Sequence, residues 1–384
     1  MERWDKARFI QKKLTDQGFE TYITGGAVRD LYLGRKASDI DLSTEAGPNQ
    51  VIKAFERTKP IGIEFGTILV ILEGEGFEVT TFRGTTITED LACRDFTINA
   101  MALSNDWQLI DPFNGRQDLA KGLIQTVASA EGTLLDDPIR MIRSLRFALQ
   151  FGFRESEDLI ACIQRHADKI RRAAVERITG EFNKISMVTW TKEKSEYFID
   201  HPALLPFIEL FSHNRINTEI RSVGFPEKEL NEIIWWVFAV YEEHDPGRVR
   251  QRLRTFKLSN KTVETAVSVC RMTDLFRKNG SWCAMDLYQA GETVLRYACL
   301  LLGYLMDEPP DTDRQITKYR ELPITDKSEL AVTGKDLIRL VPEIPKREYS
   351  YWLKELTALV VDRQIENDEA ILITYVKEQI QNES

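Results

Sequence analysis

Two aspartates, Asp39 and Asp41, stand i, i+2 in the run Asp39-Ile40-Asp41-Leu42. On a strand that spacing puts both carboxylates on one face, about 6.6 Å apart along the chain. Two hard carboxylates facing one solvent pocket suit Mg²⁺, and a pair of Mg²⁺ ions suits phosphoryl transfer. Upstream lies Gly25-Gly26-Ala27-Val28-Arg29-Asp30. Two glycines let a backbone turn come close to a ligand, and the free N–H groups of a helix starting beside them cradle phosphate. Gly25, Gly26 and Arg29 are therefore candidate phosphate-binding residues. A lone Gly-Gly is a turn and a lone Asp-x-Asp a solvated strand end; in this order the two are far more specific.

The elements that must position these residues follow from the pattern. Residues 5–17 set Ala7, Phe9, Ile10 and Leu14 on a helical period, an amphipathic helix packing on a sheet. Residues 19–24 read as a strand, 28–33 as a short helix, then comes the carboxylate strand. Residues 51–57 read as a helix and 66–72 as a strand. Glu73-Gly74-Glu75-Gly76 reads as a hairpin turn and 77–83 as its return strand, which carries Glu78. A further strand is expected at 107–110. Pro112, Asn114 and Gly115 then mark a turn. From residue 140 onward the pattern is almost wholly helical.

The string from Gly25 to Leu42 resembles the first motif of the class II tRNA nucleotidyltransferases and bacterial poly(A) polymerases, within the superfamily of DNA polymerase β. Cys93-Arg94-Asp95-Phe96-Thr97-Ile98-Asn99-Ala100 resembles that family's second motif, with Cys93 in place of its first arginine. Asp111–Leu119 resembles its third, a structural or hinge element. Asp136-Asp137-Pro138-Ile139-Arg140 resembles its fourth, Glu-Asp-x-x-Arg, with Asp136 for the glutamate. Val175–Ile185 resembles its fifth, a helical neck element that braces the base-reading helix, and Thr333–Leu337 resembles family tails.

The resemblance implies an α/β head, a small mixed sheet of the polymerase-β type, followed by an all-helical neck, body and tail in an elongated arrangement. The expected boundaries are 1–127, 128–190, 191–300 and 301–384. It also implies roles. Asp39 and Asp41 hold Mg²⁺, and Glu78 is a third carboxylate, either a metal ligand or a proton acceptor, set against the plain reading of an exposed strand glutamate. Arg94 and Asp95, with Asn99, contact the nucleotide sugar, or else Arg94–Asp95 is a structural ion pair and Asn99 a helix-surface residue. Arg143 and Arg146 follow Arg140 in the nucleotide-binding set.

Pro138, just inside a first turn after an acidic residue, starts a helix, so Asp137 and Arg140, three apart, share one helix face. A carboxylate accepts from the amino group of cytosine or adenine, and a guanidinium donates to their ring acceptors. Uracil and guanine present a carbonyl to the carboxylate, leaving buried groups unsatisfied at roughly 1–3 kcal/mol each. The pair thus selects C, or A, without a nucleic-acid template; the alternative is a helix-terminal ion pair.

Relatives that add CCA carry a longer, flexible segment between the Thr80-Thr81-Phe82-Arg83 strand and the second motif, one that helps the site switch from C to A. Here ten residues, Gly84 to Cys93, separate Arg83 from Arg94. Glu89–Leu91, with Thr88, belong to the helix leading into Arg94. The resemblance therefore narrows to bacterial CC-adding enzymes. It implies CTP and the tRNA acceptor arm as substrates and a separate A-adding enzyme on the same tRNA. A full CCA-adding enzyme, a poly(A) polymerase and a non-catalytic tRNA-binding protein stay open.

Composition sets the frame. The chain has 384 residues, 43% hydrophobic and 29% charged, enough for two or three domains of a soluble protein. Its charged N-terminal stretch has no apolar core of a secretory signal. The longest apolar run, 233–241, is far too short for a membrane span and reads as a buried helix. Five scattered cysteines and four histidines form no zinc pattern, and reduced thiols in the cytoplasm are expected. A formal charge of −9 argues against a non-specific nucleic-acid coat but leaves room for a local basic surface. Residues 140–184 hold ten Lys or Arg against six Asp or Glu. Arg248, Arg250, Arg252, Arg254, Lys257 and Lys261 form a second cluster, read either as phosphate contacts or as a solvated helix face.

Overall fold

The computed structural model describes residues 2–62, 66–207, 232–241 and 245–383. The chain divides into two compact units, Met1–Thr189 with Glu196–Phe207, and Trp190–Ser195 with Ile208–Ser384.

The first unit opens with α1 (Arg3–Thr15), which buries Ala7, Ile10 and Leu14 completely. Phe9 was expected on that face, but it is 46% exposed, with Lys13 against its ring. The buried stripe runs instead through Lys6 and Gln11, and Gln11 donates to Thr21 O and Leu103 O.

The strands are β1 (Thr21–Thr24), β2 (Asp41–Thr44), β3 (Thr58–Gly62), β4 (Thr67–Leu72), β5 (Glu75–Thr81), β6 (Ala102–Leu103) and β7 (Leu109–Ile110). They form one mixed sheet in the order β3-β4-β5-β2-β1-β6-β7. The β4–β5 hairpin turns on Glu73 and Gly74, both at positive φ, as a two-residue turn of that twist requires. The edge strand β3 was not expected from the sequence; Pro60 and a register shift blunt it.

The pairing of β2 with β5 is parallel, Leu42 opposite Val79. Both of those side chains are buried. Alternation then sends Asp41 and Glu78, one step earlier on neighbouring strands, to the other face together.

Helices pack around the sheet and continue beyond it: α2 (Gly26–Tyr32), α3 (Pro48–Ala54), α4 (Ile87–Ala92), α5 (Gly115–Lys121), α6 (Ala130–Asp136), α7 (Arg140–Phe151), α8 (Glu157–His166) and α9 (Val175–Ser186). A small two-stranded ladder, Leu123–Ile124 with Arg154–Glu155, lies among them. Asp111 accepts from Gly115 N at 2.7 Å and Arg116 N at 2.9 Å, so the Asp-Pro-Phe-Asn-Gly turn starts α5.

The secondary-structure elements described in the second unit are all helices. The apolar run forms the helix Glu232–Val240, with Trp235 and Trp236 buried. Trp190 stacks on Trp235, and Trp236 packs on Phe256 at 4.8 Å. The long helix Ala284–Leu305 breaks at Gly291, where φ is +70°. A separate apolar core gathers Leu337, Trp352, Leu356, Val360, Leu372 and Val376. No helix among the described residues is long and apolar enough to cross a membrane.

Candidate active site

The glycine turn joins β1 to α2. Gly25 has φ +71°, and a Cβ there would stand 3.0 Å from Nη1 of Arg94. Only glycine lets the chain turn and the guanidinium lie across it. Nη2 of Arg94 donates to Thr24 Oγ1 at 3.2 Å and Ser43 Oγ at 3.0 Å, and pairs with Asp90 at 3.1 Å.

Asp41 is the first residue of β2, and Asp39 precedes the strand. Ile40 and Leu42 are both buried, so the alternation expected of the two aspartates holds across the strand end. Asp39 is mostly exposed and lies 3.5 Å from Arg3. Asp41 is half-buried. Burial, then the like charges of Glu78 and Asp39, push its carboxyl up to about 6, against the pull of Arg94 and Arg3.

Asp39 and Asp41 open onto a cleft of about 710 Å³. Gly25, Gly26, Arg29, Arg94, Asp95, Asn99, Asp137, Arg140, Arg143 and Arg146 line the same cleft. Glu78 does not line it, although it is exposed and close enough to Asp41 to repel it. Among the described residues, no three His, Cys, Asp or Glu side chains converge as a metal-ligand set.

A chain of charged contacts runs along the cleft wall. Arg29 donates to Asp30 at 2.9 Å and to Asn99 Oδ1 at 2.6 Å, with its guanidinium over Phe147 and Phe151. Asn99 Nδ2 donates to Asp95 Oδ1 at 2.9 Å. Asp95 Oδ2 accepts from Arg143 at 2.8 Å. Burial alone would raise the Asp95 carboxyl, but Arg143 and the donors of Asn99 and Phe96 N hold it below the usual carboxylate range. Glu181 on α9 closes the chain, 2.6 Å from Arg146 Nε and 3.6 Å from Arg143.

Asp137 and Arg140 line the cleft but do not share a helix face. α6 ends at Asp136, Asp137 is extended (φ −141°, ψ 95°), and α7 starts only at Arg140. The residue before a proline is driven out of the helical region, so Pro138 starts a turn here and not the helix itself. Both oxygens of Asp137 accept from Arg177, at 3.1 and 2.7 Å. Arg140 donates to Thr133 O at 3.2 Å and Cys93 O at 3.3 Å.

Three partners were missed from the sequence: Asp90, Arg177 and Glu181. The last two sit in the neck segment 175–185, whose bracing role was legible from its resemblance. The local signal for Asp90 is its i, i+4 spacing to Arg94.

A mixed sheet carrying a glycine turn, an adjoining aspartate pair and a cleft rich in arginine defines a nucleotidyltransferase head. Residues 21–125 match the family described as poly A polymerase head domain, and residues 228–376 match tRNA nucleotidyltransferase domain 2. A CCA-adding enzyme of Enterococcus faecalis is 32% identical, covering 96% of this chain and 95% of that protein. One of Bacillus cereus is 29% identical, covering 98% and 99%. The solved CCA-adding enzyme of Bacillus stearothermophilus in complex with CTP superposes with a TM-score of 0.86 at 27% identity, covering 100% of this chain and 99% of that one. The chain belongs to the CCA-adding enzyme family of tRNA nucleotidyltransferases.

Proposed function

We propose that this chain extends the tRNA 3′ end with two C residues taken from CTP and then stops, leaving the terminal A to a separate A-adding enzyme. The observation that carries the reading is the connection between Arg83, two residues past β5, and Arg94. Six of its ten residues are α4, and the other four are Gly84, Thr85, Thr86 and Cys93. Glu89 closes that start by accepting from Thr85 N at 2.6 Å and Thr85 Oγ1 at 2.9 Å, and Thr86 caps α4. So short and bonded a connection leaves no lever with which to reset the site for ATP.

In the proposed reaction the tRNA 3′ oxygen attacks the α-phosphorus of CTP. The O3′–Pα bond forms, the bond from Pα to the bridging oxygen breaks, and pyrophosphate leaves with that electron pair. Asp39 and Asp41 fit Mg²⁺: a half-buried carboxyl destabilised by like charges gains from a cation, and nucleotide phosphates complete the ligand set. Bound Mg²⁺ lowers the pKa of the 3′-OH and neutralises triphosphate charge. Glu78, exposed beside Asp41, accepts the hydroxyl proton.

Gly25 and Gly26 admit the triphosphate. Arg29, committed to Asp30 and Asn99, braces that wall, and Arg94 with the Asp95–Arg143 pair meets the ribose. Asp137 and Arg140 read the amino group and ring acceptors of cytosine.

Full CCA addition is the second reading, favoured by the names of the relatives at 29–32% identity. The test is a reaction of the purified chain with tRNA lacking its 3′ end, CTP and ATP together, followed by sequencing of product ends. Ends halted at CC are expected; efficient CCA ends would replace this reading with the second.

A further inference from the structure

Resting on that reading, we infer that Asp90 is a positioning residue that fixes nucleotide choice by clamping α4 between the sheet and Arg140. Its carboxylate is 3% exposed and serves three elements at once. Oδ1 accepts from the backbone N of Arg83, the last residue before the connection, at 3.0 Å. Oδ2 accepts from Ser43 Oγ on β2 at 3.1 Å and from Arg94 Nη2 at 3.1 Å. Ser43 lies two residues from Asp41, so α4 is bonded to the strand that begins at Asp41.

The other end of α4 reaches the base-reading region. The helix finishes at Ala92, and the carbonyl of the next residue, Cys93, accepts from Arg140 Nη2 at 3.3 Å. Arg140 is held on its far side by Thr133 O. The guanidinium is thus gripped between α6 and the end of α4, and α4 is gripped by Asp90. A six-residue helix has too few internal hydrogen bonds to hold itself in place. Ile87 and Leu91 bury one face of α4, and this carboxylate ties its other side to Arg83 and β2, so it helps set one of the two carbonyls that aim Arg140, which also lies 3.5 Å from Asp136. Asp90 does not line the cleft, whereas Arg94 and Arg140 do, so it acts through them.

The test is kcat/KM for CTP and UTP separately, in wild type, Asp90→Ala and Asp90→Asn, with circular dichroism melts and tRNA-binding titrations alongside. In Asp90→Ala the CTP/UTP ratio of kcat/KM is expected to fall at least tenfold and KM for CTP to rise, with tRNA affinity unchanged. Asp90→Asn keeps an acceptor but loses the charge facing Arg94, so its ratio is expected to lie between the two. A purely structural role would lower the melting temperature and the amount of active enzyme but leave the ratio alone. A folded Asp90→Ala with the wild-type ratio overturns the inference. Where Asp90→Ala does not fold, a folded Asp90→Asn with the wild-type ratio overturns it equally. Product ends in wild type judge CC addition independently: CCA ends sink that reading and leave the ratio test valid.

Discussion

Asp41 carries the most informative charge in the molecule. Its carboxyl is pushed up to about 6 by burial and by Glu78 and Asp39, from an ordinary value of 3.8. A carboxyl with a raised folded-state pKa keeps its proton more tightly when folded. The folded state therefore loses stability as pH rises from about 4 through 6, by at most ~3 kcal/mol at neutral pH, and loses nothing below 4. Asp41→Asn removes that loss. In the absence of divalent cations the variant is expected to melt higher than wild type at pH 7.5 and equal to it at pH 4. Mg²⁺ should raise the wild-type melting temperature at pH 7.5 and leave the variant unmoved. Incorporation of CMP should vanish in the variant while tRNA still binds. A variant that responds to Mg²⁺ as wild type does, or keeps its turnover, removes Asp41 from the metal site.

At the scale of elements, the turn before α5 is fixed by packing at Gly115. A Cβ there would stand 2.2 Å from Thr97 O, in the short helical turn that carries Asn99. Backbone cannot retreat as a flexible side chain does, so Gly115→Ala should cost ~3 kcal/mol. Thermal unfolding should show a drop of several degrees; an unchanged melt would mean that the turn relaxes freely. That packing is not local, and the Asp-Pro-Phe-Asn-Gly string reads as architecture from sequence for another reason. Its residues make local bonds, and local bonds are what spacing reveals. The glycine turn, the aspartate pair and the β4–β5 hairpin were legible for the same reason. The strand β3 was not, because a proline in a short run argues against a strand wherever an edge position is unknown. Asp137 and Arg140 illustrate the limit at one step's remove: their types pointed to one cleft, but the helix break at Pro138 sent Asp137 to Arg177, forty residues away. Asp90 and Glu181 were legible only in part, Glu181 through the bracing role of its neck segment and Asp90 through its i, i+4 spacing to Arg94. The partners that tie them to other elements, Ser43 across 47 residues and Arg146 across 35, leave no periodic trace.

At the scale of the whole molecule, an acidic chain of net charge −9 must bring a polyanion to its cleft. Salt at physiological strength screens charge beyond about 8–10 Å, so neither bulk repulsion nor distant attraction decides the approach, and the pull has to come from cations presented at close range. Within the cleft many arginines are already spent on neighbouring carboxylates: Arg29 on Asp30, Arg143 on Asp95, Arg146 on Glu181. The helix Pro246–Thr255 offers a different case. Arg250 is held by both oxygens of Glu264, at 2.7 and 2.8 Å. Arg254 is exposed, and Arg248 is 77% exposed, 3.9 Å from Asp245. If this helix meets RNA phosphate, the two groups should behave differently. Removing a cation that neutralises one phosphate flattens the slope of log K against log salt by about 0.7–0.9. Arg248→Ala and Arg254→Ala are each expected to flatten the tRNA-binding slope by roughly that amount and to weaken binding at low salt. Arg250→Ala should change it little, because its charge is already neutralised by Glu264. Titrations of tRNA at several salt concentrations decide the matter. Equal slopes for wild type, Arg248→Ala and Arg254→Ala would make this face a solvated one, and a flattening confined to Arg250→Ala would mean that the Glu264 pair opens to receive the RNA.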